Sequence, residues 1–133
     1  EAARLRQYLT SGGFLFAEAC CGRKGFDHAF RLQMQALLPE YPLKPIPENA
    51  NLYSIPNKIS QVGVTPGLSS QLGSTSTKPA LEGIEIDGHF AVIYSKFGLS
   101  GGWEMSQSPY AFGYDDVSSV LLGQNVLMYA VTQ

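Results

Sequence analysis

The stretch that decides the fold reads Gly12-Gly13-Phe14-Leu15-Phe16-Ala17-Glu18-Ala19-Cys20-Cys21-Gly22. The run from Phe14 to Ala19 has few polar breaks, which is typical of a strand buried on both faces of a parallel sheet. Arg23 and Lys24 follow the glycine, and a helical pattern begins soon after them. In open α/β sheets, ligands bind where strands end and the next connection begins. The stretch therefore predicts where a site lies and leaves its chemistry open.

Helices are predicted on both sides of this strand. Residues 2–10 suit a helix, and Ser11-Gly12-Gly13 would end it as a glycine C-cap. A second helix is predicted to end at Pro39, since proline disfavours helical backbone in the residue before it. Its apolar positions recur at helical spacing and are Phe26, Phe30, Met34, Leu37 and Leu38.

The second half of the chain predicts a loop, a hairpin and a helix. Residues 60–80 are rich in Gly, Ser and Thr, so we expect a long, mobile surface loop there. Two apolar runs, Leu81 to Ile86 and Phe90 to Ser95, flank Asp87-Gly88, which is a strong hairpin signal. A deeply packed final helix should begin at Asp115-Asp116, where negative charge meets the positive end of the helix dipole. Asn125 in that apolar helix should hydrogen-bond a loop carbonyl.

Composition limits the class of protein. The chain has 133 residues, a net charge of −2, 44% hydrophobic and 15% charged residues, so we expect a single globular α/β domain over 1–133. No segment gathers the basic residues that nucleic acids attract, and no apolar run is long enough to span a bilayer. The sequence shows no Gly-rich phosphate loop, and we expect no cofactor. The adjacent Cys20 and Cys21 do not decide the compartment, which stays open.

Four stretches together resemble the bacterial domain of unknown function 4159 family. They are Leu5 to Gly22, Phe26 to Arg31, Leu81 to Ser95 with its two apolar runs, and Gly123 to Ala130. The resemblance implies a flavodoxin-like three-layer sandwich similar to class I glutamine amidotransferases. It also implies strands upstream of the first helix, so we expect this chain to lack its N-terminal strands and to be part of a longer polypeptide.

The sequence departs from that family's pattern at three places. Glu48-Asn49-Ala50-Asn51-Leu52 stands where relatives usually have Asp-His-Pro before an apolar residue. His89 stands at a strand position commonly held by Arg, and Gly98 replaces a recurrent Asp. If those residues work in relatives, the resemblance implies an impaired or altered site here.

The sharpest catalytic hypothesis concerns Cys20. Glu18-Ala19-Cys20-Cys21-Gly22 is similar to the amidotransferase elbow pattern Gly-x-Cys-x-Gly, which would make Cys20 the nucleophile. Arg23 and Lys24 would favour a thiolate, whereas the Glu18 carboxylate would raise the thiol pKa. A cysteine hydrolase also needs a base, and His28 and His89 are the only histidines. The alternative is that both thiols are small buried apolar groups.

Other residues near the predicted site have competing interpretations. Glu18 would order the turn after its strand or pair with Arg23 or Arg31. Trp103 and Glu104 could line a ligand pocket, with Trp103 otherwise capping the core. We expect no metal site, because adjacent cysteines rarely ligate one ion together and no Cys-x-x-Cys spacing exists. His28 and His89 should be solvated.

These observations favour a non-catalytic module that binds a small molecule or a protein at the carboxyl ends of its strands. The ligand-binding candidates are Glu18, Cys20, Cys21, Arg23, Trp103 and Glu104. The first alternative is an amidotransferase- or hydrolase-like enzyme that uses Cys20. The second is a structural domain of a larger envelope-associated protein, and a location outside the cytoplasm stays open.

Overall fold

The structure is a computed structural model that describes residues 1–19, 23–99, 102 and 112–132. Within these residues it is a mixed α/β fold with four α-helices and a four-stranded mixed sheet. The helices are α1 (Ala2–Thr10), α2 (Lys24–Leu37), α3 (Pro66–Leu72) and α4 (Asp116–Thr132). The strands are β1 (Leu15–Glu18), β2 (Lys44–Pro45), β3 (Val62–Gly63), β4 (Ser76–Thr77), β5 (Leu81–Ile86) and β6 (His89–Ser95). The final helix, α4, begins close to the predicted position.

The main sheet has the strand order β1-β6-β5-β2. β1 runs parallel to β6, with Leu15 opposite Val92 and Glu18 opposite Ser95. β5 is antiparallel to β6 and to β2. The prediction of a parallel strand over 14–19 is therefore confirmed, but β1 forms an edge of the sheet among the described strands and its residues are only half-buried.

Helices cover both faces of the sheet, and alternate side chains along β1 pack on opposite faces. Leu15 and Ala17 pack against the cluster that α1 and α2 complete, which includes Leu9, Phe30 and Met34. Phe14 and Phe16 pack on the opposite cluster, where α4 contributes buried apolar residues. Successive side chains of an extended strand point to opposite faces, so a strand covered on both faces is apolar at every position.

Glycines set the turns that connect these elements. Gly12 has φ of 97° and the Gly13 N–H donates to the Tyr8 carbonyl at 2.8 Å, which ends α1 as the sequence predicts. Asp87 and Gly88 have φ of 55° and 85°, the left-handed pair that a two-residue hairpin turn requires. Both glycine-based predictions are confirmed.

Three sequence expectations about these elements need correction. Residues 60–80 are not a structureless loop: they contain α3 and the two-stranded antiparallel sheet of β3 and β4. The final helix is deeply packed on one face only, because Leu122 and Val126 are buried whereas Val117, Leu127 and Val131 are each more than two thirds exposed. Phe26, expected in the apolar face of α2, is likewise 47% exposed.

Candidate functional site

The carboxyl ends of β1 and β6 lie side by side at one edge of the sheet. Glu18 is opposite Ser95 at the last position of both strands, and the Ala19 N–H continues the pairing by donating to the Ser95 carbonyl at 2.9 Å. The chain then passes through 20–22 to Arg23, whose extended backbone precedes the first turn of α2. This is the edge at which ligands bind in open α/β sheets.

Two of the six predicted ligand-binding residues belong to the described part of the chain. Cys20, Cys21, Trp103 and Glu104 lie outside the described residues. Glu18 ends β1, and its carboxylate accepts a hydrogen bond from the backbone N–H of Leu99. It therefore joins the end of β1 to the segment after β6, and the turn that it was expected to order lies outside the described residues. Arg23 is exposed at the N-cap of α2.

Arg31 is bound to carboxylates other than Glu18. Its Nη2 lies 2.6 Å from Oε2 of Glu82 on β5, and its Nε lies 3.1 Å from Oδ2 of Asp27 one turn earlier in α2. The Tyr94 hydroxyl donates to Asp27 Oδ1 at 2.8 Å, and the Arg31 guanidinium carbon stands 5.6 Å from the centre of the Tyr94 ring. We call Asp27, Arg31, Glu82 and Tyr94 the Arg31 network. It fixes the start of α2 to β5 and β6.

Hydrogen bonding and burial shift the pKa values in this network. Burial by itself would raise the pKa of Asp27, but the hydrogen bonds from Arg31 and Tyr94 together outweigh it and hold that pKa below its usual range. Lys96 contributes in the same direction through its charge. Burial raises the pKa of the Tyr94 hydroxyl, and the hydrogen bond to Asp27 raises it further. Asp27 is therefore an ionised acceptor at neutral pH and Tyr94 a neutral donor.

A cavity of about 420 Å³ opens beside this network. Its polar lining comes from Lys24 and Asp27 of α2, Gln71 of α3, and Lys96 just after β6. The apolar lining comes from Leu68, Leu72, Phe97 and Phe112. An apolar wall with a few convergent polar groups is the usual make-up of a small-molecule site, and the volume falls in the usual range.

A larger groove of about 640 Å³ lies between β1 and α4. Phe14, Phe16, Val120 and Leu127 are among its lining residues, and the glutamine Gln124 is the only side chain in the lining, among the residues described, that can hydrogen-bond. Such a surface buries apolar partners but offers little to orient a ligand. We therefore place the candidate site at the smaller cavity, which we call the α2–β6 cavity.

The two histidines, the candidate bases for a cysteine nucleophile, lie at different distances from the site. His89 begins β6, whereas the site lies at the other end of that strand, roughly 20 Å away at the usual rise of a strand. His28 is exposed on α2, as predicted, next to Asp27. His89 is half-buried instead of fully solvated. Among the described residues, no group of three or more metal-ligating side chains converges.

Sequence reasoning missed most of the site. The pair Asp27 and Arg31 shows the i, i+4 spacing of a helical ion pair, a signal that was available in the sequence. Glu82 and Tyr94 carry no such local signal, since they are brought in by the register of β5 and β6. The aromatic residues Phe97 and Phe112 come from the segment between β6 and α4, where the sequence predicts no helix or strand.

Comparison with known proteins identifies a family. Residues 1–131 match the model of a family described as Domain of unknown function (DUF4159). A search of curated proteins finds no significant match. Within the described residues, no helix combines the length and the apolar character that crossing a membrane requires.

Proposed function

The chain belongs to the family of Domain of unknown function (DUF4159), and we propose that it is a non-catalytic binding module whose α2–β6 cavity takes a small ligand. The observation that carries this proposal is the position of the cavity. It lies at the carboxyl ends of two parallel strands, and both α2 and the segment after β6 contribute polar side chains to it.

The architecture we propose is flavodoxin-like, of the kind found in glutamine amidotransferases. The parallel pairing of β1 with β6 and the helices on both faces of the sheet support it. The antiparallel hairpin of β5 and β6 is a local departure from a purely parallel sheet. The half-buried edge of β1, next to the apolar groove, has room for a further strand on that side.

The binding function is tested by blocking the cavity. Leu72 lines it and is 44% exposed, so Leu72→Trp should fill space without disturbing the core. A fragment library is screened by the amide chemical shifts of ¹⁵N-labelled protein. We expect binders to shift the signals of residues 24–27, 68–72 and 96–97, and to lose affinity in Leu72→Trp.

The matched control is Leu32→Trp, because Leu32 is 52% exposed on α2 and does not line the cavity. It should leave binding unchanged. Fragments that shift only residues outside the cavity, or that bind Leu72→Trp as well as the parent protein, would reject this function and favour the structural alternative.

A second candidate is the enzyme that uses Cys20, and one observation favours it. Ala19, which precedes Cys20 in the sequence, still pairs with Ser95 at the edge that carries the cavity. Lys24 and Lys96 line that cavity and would lower a nearby thiol pKa. Residue-resolved alkylation across pH decides: one fast thiol titrating well below about 8.5 supports catalysis, and two slow thiols reject it.

A further inference from the structure

Around the α2–β6 cavity, the carboxylates have hydrogen-bond partners within the protein, whereas the lysines form no ion pair with the described residues. Asp27 is the one carboxylate in its described lining, and its oxygens already accept hydrogen bonds from Arg31 and Tyr94. Glu82 behind it is occupied by Arg31 at 2.6 and 2.8 Å. The Glu18 carboxylate accepts from the Leu99 N–H. The negative charge at this edge is thus already engaged by protein donors.

The lysines of the cavity are in a different situation. Lys24 and Lys96 are exposed and line the cavity from two directions, the first residue of α2 and the residue after β6. The four ion pairs formed within the described part of the chain involve neither of them. With respect to the described residues, both ammonium groups therefore keep hydrogen-bond donors available to something that enters the cavity.

The other residues that line the cavity indicate which chemical groups the rest of the ligand should have. Phe97, Phe112, Leu68 and Leu72 form apolar walls, and the Lys96 ammonium stands 5.2 Å from the centre of the Phe97 ring. The first turn of α2 adds the partial positive charge of a 14-residue helix to the same region. An occupant matched to this lining is negative at one end and apolar at the other.

We infer that the α2–β6 cavity binds a small organic anion, with a carboxylate or phosphate held between Lys24 and Lys96 and an apolar body against Phe97 and Phe112. The inference rests on the proposed binding function and names its ligand class. The Arg31 network has a positioning role in it, because it fixes the start of α2 and engages Asp27, whose charge would otherwise repel the anion.

The test uses four probes of the whole chain at low ionic strength: benzoate, its neutral isostere benzamide, phenyl phosphate and inorganic phosphate. Binding is followed by the amide shifts of Gly25 and Phe97. We expect benzoate or phenyl phosphate to bind about tenfold more tightly than benzamide, as a charge-assisted hydrogen bond allows. The better of these two probes identifies the acidic group, and raising the salt concentration should weaken it.

Variants assign the charge to its residues. Lys24→Met and Lys96→Met should each weaken the preferred anion several-fold, whereas Lys58→Met, at an exposed lysine outside the cavity lining, should not change it. Amide spectra of each variant confirm that the fold is retained.

Distinct results overturn distinct statements. If benzamide binds as tightly as benzoate at these residues, the anion inference fails while the binding function stands. If inorganic phosphate binds as tightly as phenyl phosphate, the ligand does not need an apolar body, and that part of the inference fails. If all four probes leave the cavity signals unchanged, the ligand class is wrong, and the neutral members of the fragment library decide the binding function separately.

Discussion

Arg31 connects α2 to the sheet by ion pairs and by contact with an aromatic ring. Its guanidinium binds one carboxylate on its own helix and another on β5, and it stands over the ring of a tyrosine on β6. The Glu82 side chain is only 13% exposed, so removing Arg31 would leave a largely buried carboxylate without its cation. Arg31 therefore adds polar contacts to the apolar packing that holds the helix against both strands.

Asp27 should make stability depend on pH in the acid range. Its folded pKa lies below the unfolded value of about 3.9, so its contribution is complete above that value and is lost as pH falls towards the folded pKa. We expect Asp27→Asn to lose roughly 1–2 kcal/mol of unfolding free energy at pH 7. The difference from the parent protein should shrink below about pH 4 in urea titrations.

Tyr94→Phe provides the control for this assignment. It removes the hydroxyl that donates to Asp27 and keeps the ring under Arg31. The pKa of Asp27, followed by carboxyl ¹³C shifts, should rise in this variant. An unchanged pKa would mean that Arg31 and Lys96 set it without the Tyr94 hydroxyl.

Asn125 is a buried polar residue that holds a loop to α4. Its Oδ1 accepts from the Asn57 N–H at 3.0 Å, and its Nδ2 donates to the carbonyls of Leu52 and Asn57 at 2.8 Å each. The predicted contact with a loop carbonyl is confirmed. Asn125→Leu should lower the free energy of unfolding by about 2–4 kcal/mol, because three loop groups lose their partner.

Urea titrations of Asn125→Leu are compared with those of Val117→Leu, at an exposed neighbour on the same helix whose side chain forms no hydrogen bond. The neighbour should change stability by less than about 0.5 kcal/mol. Equal losses in the two variants would contradict the assigned role of Asn125.

At the scale of elements, the sequence predicted those whose signals are local. The glycine cap of α1, the Asp-Gly turn and the apolar period of α2 each lie within a few residues, and all are present in the structure. α3 was missed, although Thr65 before it, Pro66 at its first position and Gly73 after it are a common start and stop pattern. The high Gly, Ser and Thr content around it concealed a seven-residue helix. The α2–β6 cavity could not be predicted, because its walls come from four separate segments.

The N-cap of α3 supplies a prediction at this scale. Thr65 Oγ1 accepts from the Leu68 N–H at 3.4 Å and from the Gly113 N–H at 3.3 Å, so it caps the helix and ties it to the chain before α4. Thr65→Ala should cost about 1–2 kcal/mol of stability. Thr65→Ser should recover most of it, and Ser70→Ala at an exposed position should have little effect in the same thermal and urea measurements.

At the scale of the whole molecule, α4 is unusual because it is apolar on its exposed face as well as on its buried face. It has no charged residue after Asp116, and Leu127 and Val131 are exposed beside the groove at β1. Its opposite face buries Leu122 and Val126 in the core. Exposed apolar patches of this kind promote self-association or bind apolar partners.

The double variant Leu127→Glu, Val131→Glu should therefore raise the concentration at which the protein begins to scatter light, with a change in unfolding free energy below about 1 kcal/mol. Val126→Ala, one residue away on the buried face, should instead cost about 1–3 kcal/mol without improving solubility. Identical behaviour of the two variants would contradict this division of α4.

The pairing of β1 with β6 also fixes a sequence of events in folding. Leu15 pairs with Val92, so β1 can pair with β6 only after a long segment of the chain has closed into a loop. β5 and β6, in contrast, are joined by a two-residue turn. We expect the hairpin to form before β1 docks. Conservative truncations in the hairpin, such as Ile84→Val, should then slow refolding, whereas Leu15→Ala should mainly accelerate unfolding.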